Sequence, residues 1–99
     1  MTTQQQENQQ GRPVLVTTAH RGVFFGYANA TDGETITLTR ARLCVYWSPK
    51  LRGFMGLAAH GPDADCRIGP AADITLRAIT SVVEVAAEAV ARFEAAPWR

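Results

Sequence analysis

Residues 35–47 read TITLTRARLCVYW, and the reading of this stretch decides the architecture. Threonine, isoleucine and leucine in alternation favour a strand, because β-branched side chains pack well on a pleated surface. Carried on without interruption, the alternation puts Ile36, Leu38, Arg40 and Arg42 on one face and Leu43, Val45 and Trp47 on the other. An apolar face does not change sides without a cause, so a bulge, bend or element boundary is expected near Arg40 and Ala41. Ser48-Pro49-Lys50 closes the strand, since proline cannot donate to a central ladder.

Working outward, Arg12 to Thr18 (RPVLVTT) and Gly22 to Ala28 (GVFFGYA) read as two more strands joined by Ala19, His20 and Arg21. Asp32-Gly33 suits positive backbone dihedrals and marks a turn between Asn29 and Glu34. Downstream, Gly53 to Ala59 (GFMGLAA) is read as a helical turn, and Gly61 to Ala71 as a loop by its glycine and proline content. The run from Asp73 to Val85 reads as one bent strand or two. The clearest helix is Ala86 to Ala96, where Ala86, Ala89, Val90 and Phe93 fall at i, i+3, i+4 and i+7. Glu88 and Arg92 form an expected pair on its outer side, and Pro97 stops it. These elements predict an α+β fold: a small antiparallel β-sheet or partly open barrel of about five to six strands, with a C-terminal helix packed on it. Residues 1–11, mostly Thr, Gln, Asn and Glu, read as a disordered polar tail, and 12–99 as a single globular domain.

A chain of 99 residues buries only about 60–65% of its unfolded surface, so association with copies of itself is expected. A net charge of +1 and a pI near 7.8 argue against a general nucleic-acid coat or a membrane-surface binder. No apolar run approaches the roughly 20 residues that span a bilayer, and no secretory signal is visible at the N-terminus. Cys44 and Cys66 are too few for a disulfide framework, so reduced thiols in the bacterial cytosol are the expectation.

Locally the charge is uneven. Between Glu34 and Asp63 there is no acidic residue, whereas Arg40, Arg42, Lys50, Arg52 and His60 all fall there. In a strand Arg42, Cys44 and Tyr46 share a face, and a guanidinium beside an aromatic ring can hold a phosphate and stack a base. A second candidate is Cys66-Arg67-Ile68-Gly69-Pro70, where a turn could aim backbone amides at an anion with Arg67 closing the site. The third is Arg21, beside His20 at an exposed connection. The candidate ligand-binding set is therefore Arg21, Arg42, Tyr46, His60 and Arg67. Catalysis is not expected: neither cysteine has a local motif that pairs it with a histidine, and no phosphate-binding glycine signature or metal-ligand spacing is present. No cofactor is expected either. Trp47, Phe54 and Trp98 are assigned to the core or a subunit interface.

Taken in order, PVLVTTAHRGVFFGYA (13–28), ITLTRARLCVYW (36–47), GLAAHGP (56–62), CRIGP (66–70) and ITSVVEV (79–85) resemble a family of small uncharacterised proteins of tailed phages and prophages. The resemblance implies a compact, self-associating cytosolic protein. Small phage proteins of this build commonly act as counter-defence factors, such as sponges that sequester nucleotide-like signals. A module that binds and inhibits a host or defence protein, and a virion or assembly component, are the alternatives. Nucleic acid is the least favoured partner, because the body is nearly neutral.

Overall fold

A computed structural model describes residues 11–19, 22–31 and 33–97. Five strands are present: β1 (Arg12–Thr18), β2 (Val23–Ala28), β3 (Thr35–Tyr46), β4 (Arg67–Arg77) and β5 (Ile79–Glu84). A 3-10 turn (Pro49–Leu51) and helix α1 (Phe54–His60) lie between β3 and β4, and helix α2 (Ala87–Ala95) follows β5. The described residues thus form the expected α+β arrangement. The N-terminal tail up to residue 10, the His20-Arg21 connection, Asp32 and Trp98 lie outside the described residues.

All pairings are antiparallel, in the order β4-β3-β2-β1-β5. Arg77 and Ile79 are separated only by Ala78, yet they belong to strands at opposite ends of that order. The sheet must therefore curl strongly, although it does not close. Ala78 makes the corner with a left-handed φ of 57°, which divides the Asp73–Val85 run into two strands.

Curling gives the sheet two apolar faces. On the helix side, Leu15, Phe25, Cys44, Ile68 and Val85 pack under Leu57 and Ala58 of α1 and Ala89 and Phe93 of α2. On the concave side no helix is needed, because Val14 and Val16 meet Ile36, Leu38, Ala41 and Leu76 across the bend. Phe25 and Phe93 stack at 4.3 Å with planes 3° apart, which fixes α2 on β2.

The irregularity expected near Arg40 is a bulge. Pairing of β3 with β4 shifts between Leu38 and Ala41, and pairing with β2 shifts between Phe25 and Tyr27. Arg40 takes φ 51°, and its freed N–H donates to Asp73 Oδ1 at 2.9 Å. One inserted residue moves Arg42 and Cys44 onto the helix side and leaves Leu43 and Val45 outward, 42% and 50% exposed.

Two expectations are corrected. The loop expected over Gly61–Ala71 ends at Cys66, and Arg67–Ala71 is the start of β4. Pro70 is tolerated there because β4 is an edge strand and the register slips locally, so its missing N–H breaks no essential ladder bond. Glu88 and Arg92 do not pair with each other; both turn to the end of α1. Arg92 donates to the His60 carbonyl at 2.8 Å, and Glu88 lies 4.0 Å from His60 Nδ1. Gly61 permits that approach: it sits at φ 81°, and a Cβ there would meet Arg92 Cβ at 2.9 Å and Ala89 Cα at 3.0 Å.

Candidate functional site

Where α2 ends, the helix-side face of the sheet emerges uncovered, and a groove of about 510 Å³ opens at the boundary. Tyr27 of β2, Arg40 and Arg42 of β3 and Glu94 of α2 supply its polar groups, with Pro70 and Pro97 on the rim. Two neighbouring strands and a helix some 50 residues further along the chain thus converge on one concavity.

Arg40 is carried over the groove by the bulge. Its guanidinium carbon lies 4.1 Å from the centre of the Tyr27 ring, and Nη1 is 3.8 Å from Glu94 Oε2. The Tyr27 hydroxyl donates to the same Glu94 carboxylate oxygen. A left-handed φ at a residue that is neither glycine nor asparagine costs of order 1 kcal/mol or more, and such strain concentrates where a side chain must be aimed.

Arg42 forms the wall. It is 7% exposed, and its planar fork donates to three backbone carbonyls: Nε to Gly69 at 2.6 Å, Nη1 to Phe93 at 2.6 Å and Nη2 to Ile68 at 3.5 Å. One of these carbonyls lies in the last turn of α2, the negative end of the helix. Among the described residues no carboxylate lies within ion-pair distance of Arg42, and burial lowers its pKa from the ordinary arginine value. Two guanidinium groups therefore face the groove against the single carboxylate of Glu94.

Burial first, then the Glu94 carboxylate, pushes the Tyr27 hydroxyl up to about 12. A tyrosine whose pKa is raised on folding stabilises the fold fully below its unfolded value of 10.0, and that contribution is lost as pH rises to about 12. Stability should accordingly fall over this interval, and less steeply in Tyr27→Phe. Urea midpoints of both proteins between pH 9.5 and 12 check this; parallel curves would contradict it. The Cys44 thiol, pushed up to about 12 by burial, contributes a decline common to both proteins.

The residues expected from sequence do not gather as one set. Arg42 lines the groove, but as a buried strut across α2 and β4, because the bulge turned it toward the core; the expected open Arg42–Tyr46 face is corrected accordingly. Tyr46 and Arg67 are direct partners across β3 and β4, both exposed and outside the groove. Arg67 closes no amide-lined turn, since its segment is strand. His60, at the end of α1, is exposed and faces Glu88. Arg21 lies outside the described residues. Sequence reasoning did not select Tyr27, Arg40 or Glu94. Arg40 had two signals, its position at the expected break in alternation and its place in the acid-free basic stretch.

A family model matches residues 11–93, from the start of β1 to within the last turn of α2. The chain belongs to the family described as a domain of unknown function, DUF6948. The DUF6948 match embraces all five strands and α1, and it includes Tyr27, Arg40 and Arg42; Glu94 falls one residue beyond it. No curated protein matches the chain. No solved structure matches it.

Proposed function

We propose that the protein is a non-catalytic binding protein that takes up a nucleotide-like anion in the groove between β2, β3 and α2. The observation that carries this reading is Arg40, held in a left-handed conformation over the Tyr27 ring beside a second, buried guanidinium without a carboxylate partner among the described residues. Exposed ion pairs contribute about 0–1 kcal/mol, so an entering anion displaces Arg40 from Glu94 at little cost. A planar ring then takes the vacated face of Tyr27, and the anionic group pairs with Arg40 while Arg42 supplies a fixed positive field.

The resemblance to phage and prophage proteins supports a counter-defence sponge that holds a host signal nucleotide in the bacterial cytosol. A homo-oligomeric state fits the same reading, because Leu43, Val45, Tyr46 and Met55 are large apolar side chains left exposed on a small body.

Thermal shift with mono-, di- and cyclic nucleotides tests the reading. A ligand at a hundred times its Kd adds about 2.7 kcal/mol to stability. Arg40→Asn, which suits a left-handed φ, should keep or slightly raise the unliganded melting temperature while abolishing the nucleotide-dependent rise. Absence of a rise with every nucleotide would overturn the reading. The exposed Leu43 and Val45 favour a second one, an interaction module for a host protein. A stoichiometric protein partner retained on purification, with no small molecule released on denaturation, would select it.

A further inference from the structure

A smaller groove of about 260 Å³ shares a lining residue with the first. It is lined by Tyr27, Asn29, Ala30, Thr35, Thr37 and Thr39. Tyr27 lines both grooves and so joins them. Among the described residues, none that lines the smaller groove is charged. Its floor is a row of β3 hydroxyls, running about 13 Å from Thr35 to Thr39 at roughly 3.3 Å per residue.

Those hydroxyls keep hydrogen-bonding capacity in hand. A threonine hydroxyl offers one donor and two acceptor lone pairs. Thr37 Oγ1 is engaged with Thr75 Oγ1 at 3.0 Å, and Thr39 Oγ1 donates to the Tyr27 carbonyl at 3.4 Å, which leaves acceptor positions free on both. The Asn29 amide adds both a donor and an acceptor at the edge. Beside a groove carrying two guanidinium groups, this surface is neutral, polar and rich in groups that exchange hydrogen bonds with alcohols.

Resting on the reading of the first groove as an anion site, we infer that the ligand is a sugar phosphate or contains one: its phosphate lies by Arg40 and Arg42, and its hydroxylated ring crosses Tyr27 onto the threonine floor. A bare inorganic anion uses only the charged groove. A sugar phosphate uses both, and its hydroxyls replace water on Thr37, Thr39 and Asn29.

Calorimetric titration of the full chain with inorganic phosphate, ribose 5-phosphate and adenosine 5′-monophosphate tests this. Ribose 5-phosphate is expected to bind at least tenfold more tightly than inorganic phosphate, with that preference reduced at least fivefold in Thr37→Val and, independently, in Asn29→Ala. Equal affinities for phosphate and ribose 5-phosphate, or an unchanged preference in both folded variants, would overturn the sugar assignment and leave the anion site standing. Binding of none of the three ligands would overturn both.

Discussion

Arg42→Met is expected to lower the unfolding free energy by about 3 kcal/mol, and Arg42→Lys by nearly as much. The methionine fills much of the aliphatic volume but takes the guanidinium donors away from the carbonyls of Gly69, Phe93 and Ile68, of which Phe93 keeps the Ala96 N–H at 3.4 Å. A buried polar group deprived of its partner costs about 1–3 kcal/mol, and partial relaxation toward solvent keeps the total for three below their sum. Lysine retains the charge but not the planar fork, so one ammonium cannot reach carbonyls on β4 and α2 together. Urea unfolding with matched m-values measures the loss. A change under 1 kcal/mol would mean that Arg42 is a spare surface cation after all.

Gly56→Ala should be comparably damaging, at about 3 kcal/mol, for a purely steric reason. Gly56 lies in α1 directly against the 3-10 turn, and a Cβ there would overlap the Leu51 carbonyl oxygen and lie 2.7 Å from its carbon. Both neighbours are backbone, so no side chain can swing aside; relief requires α1 to move off the turn that positions it. Because Leu57 and Ala58 of that helix are buried in the helix-side core, the displacement spreads into packing against β2, β4 and α2. At this chain length the melting temperature should drop by roughly 12–24 °C. Full retention of stability would show that the turn and α1 are loosely joined.

The parts of the fold readable in sequence were those that depend on neighbours along the chain. Alternation marked β1 and β2, helical spacing marked α2, and the conflict between Leu38 and Leu43 marked the bulge. What alternation could not supply was the consequence of the bulge: which of the two β3 faces the helices cover. That depends on where α2 returns, and it makes Arg42 a buried strut in the groove wall instead of part of an open face with Tyr46. Arg67 to Ala71 was misread for a related reason. Gly69-Pro70 has the composition of a turn, and only its position on an edge strand pairing with a segment some 25 residues away makes it extended. The groove itself was illegible, because Tyr27, Arg40 and Glu94 sit on three separate elements and each alone has an ordinary structural role.

Arg40 illustrates how the local and global readings meet. The break in alternation announced a distortion, and the distortion aims a guanidinium over an aromatic ring beside the end of α2. Stability alone would favour glycine or asparagine at φ 51°. Ala78 and Arg52 also take left-handed φ, at a corner and after the 3-10 turn; what sets Arg40 apart is that its side chain lies over the Tyr27 ring in the groove.

The most direct measurement is a heteronuclear NMR titration that follows arginine side-chain Nε–Hε and backbone amide resonances as adenosine 5′-monophosphate is added. The account predicts saturable shifts at Arg40 and Arg42 Nε, together with the backbone amides of Tyr27 and Glu94. Resonances that stay fixed at these four positions at millimolar nucleotide, or that move only at Tyr46 and Arg67, would contradict it.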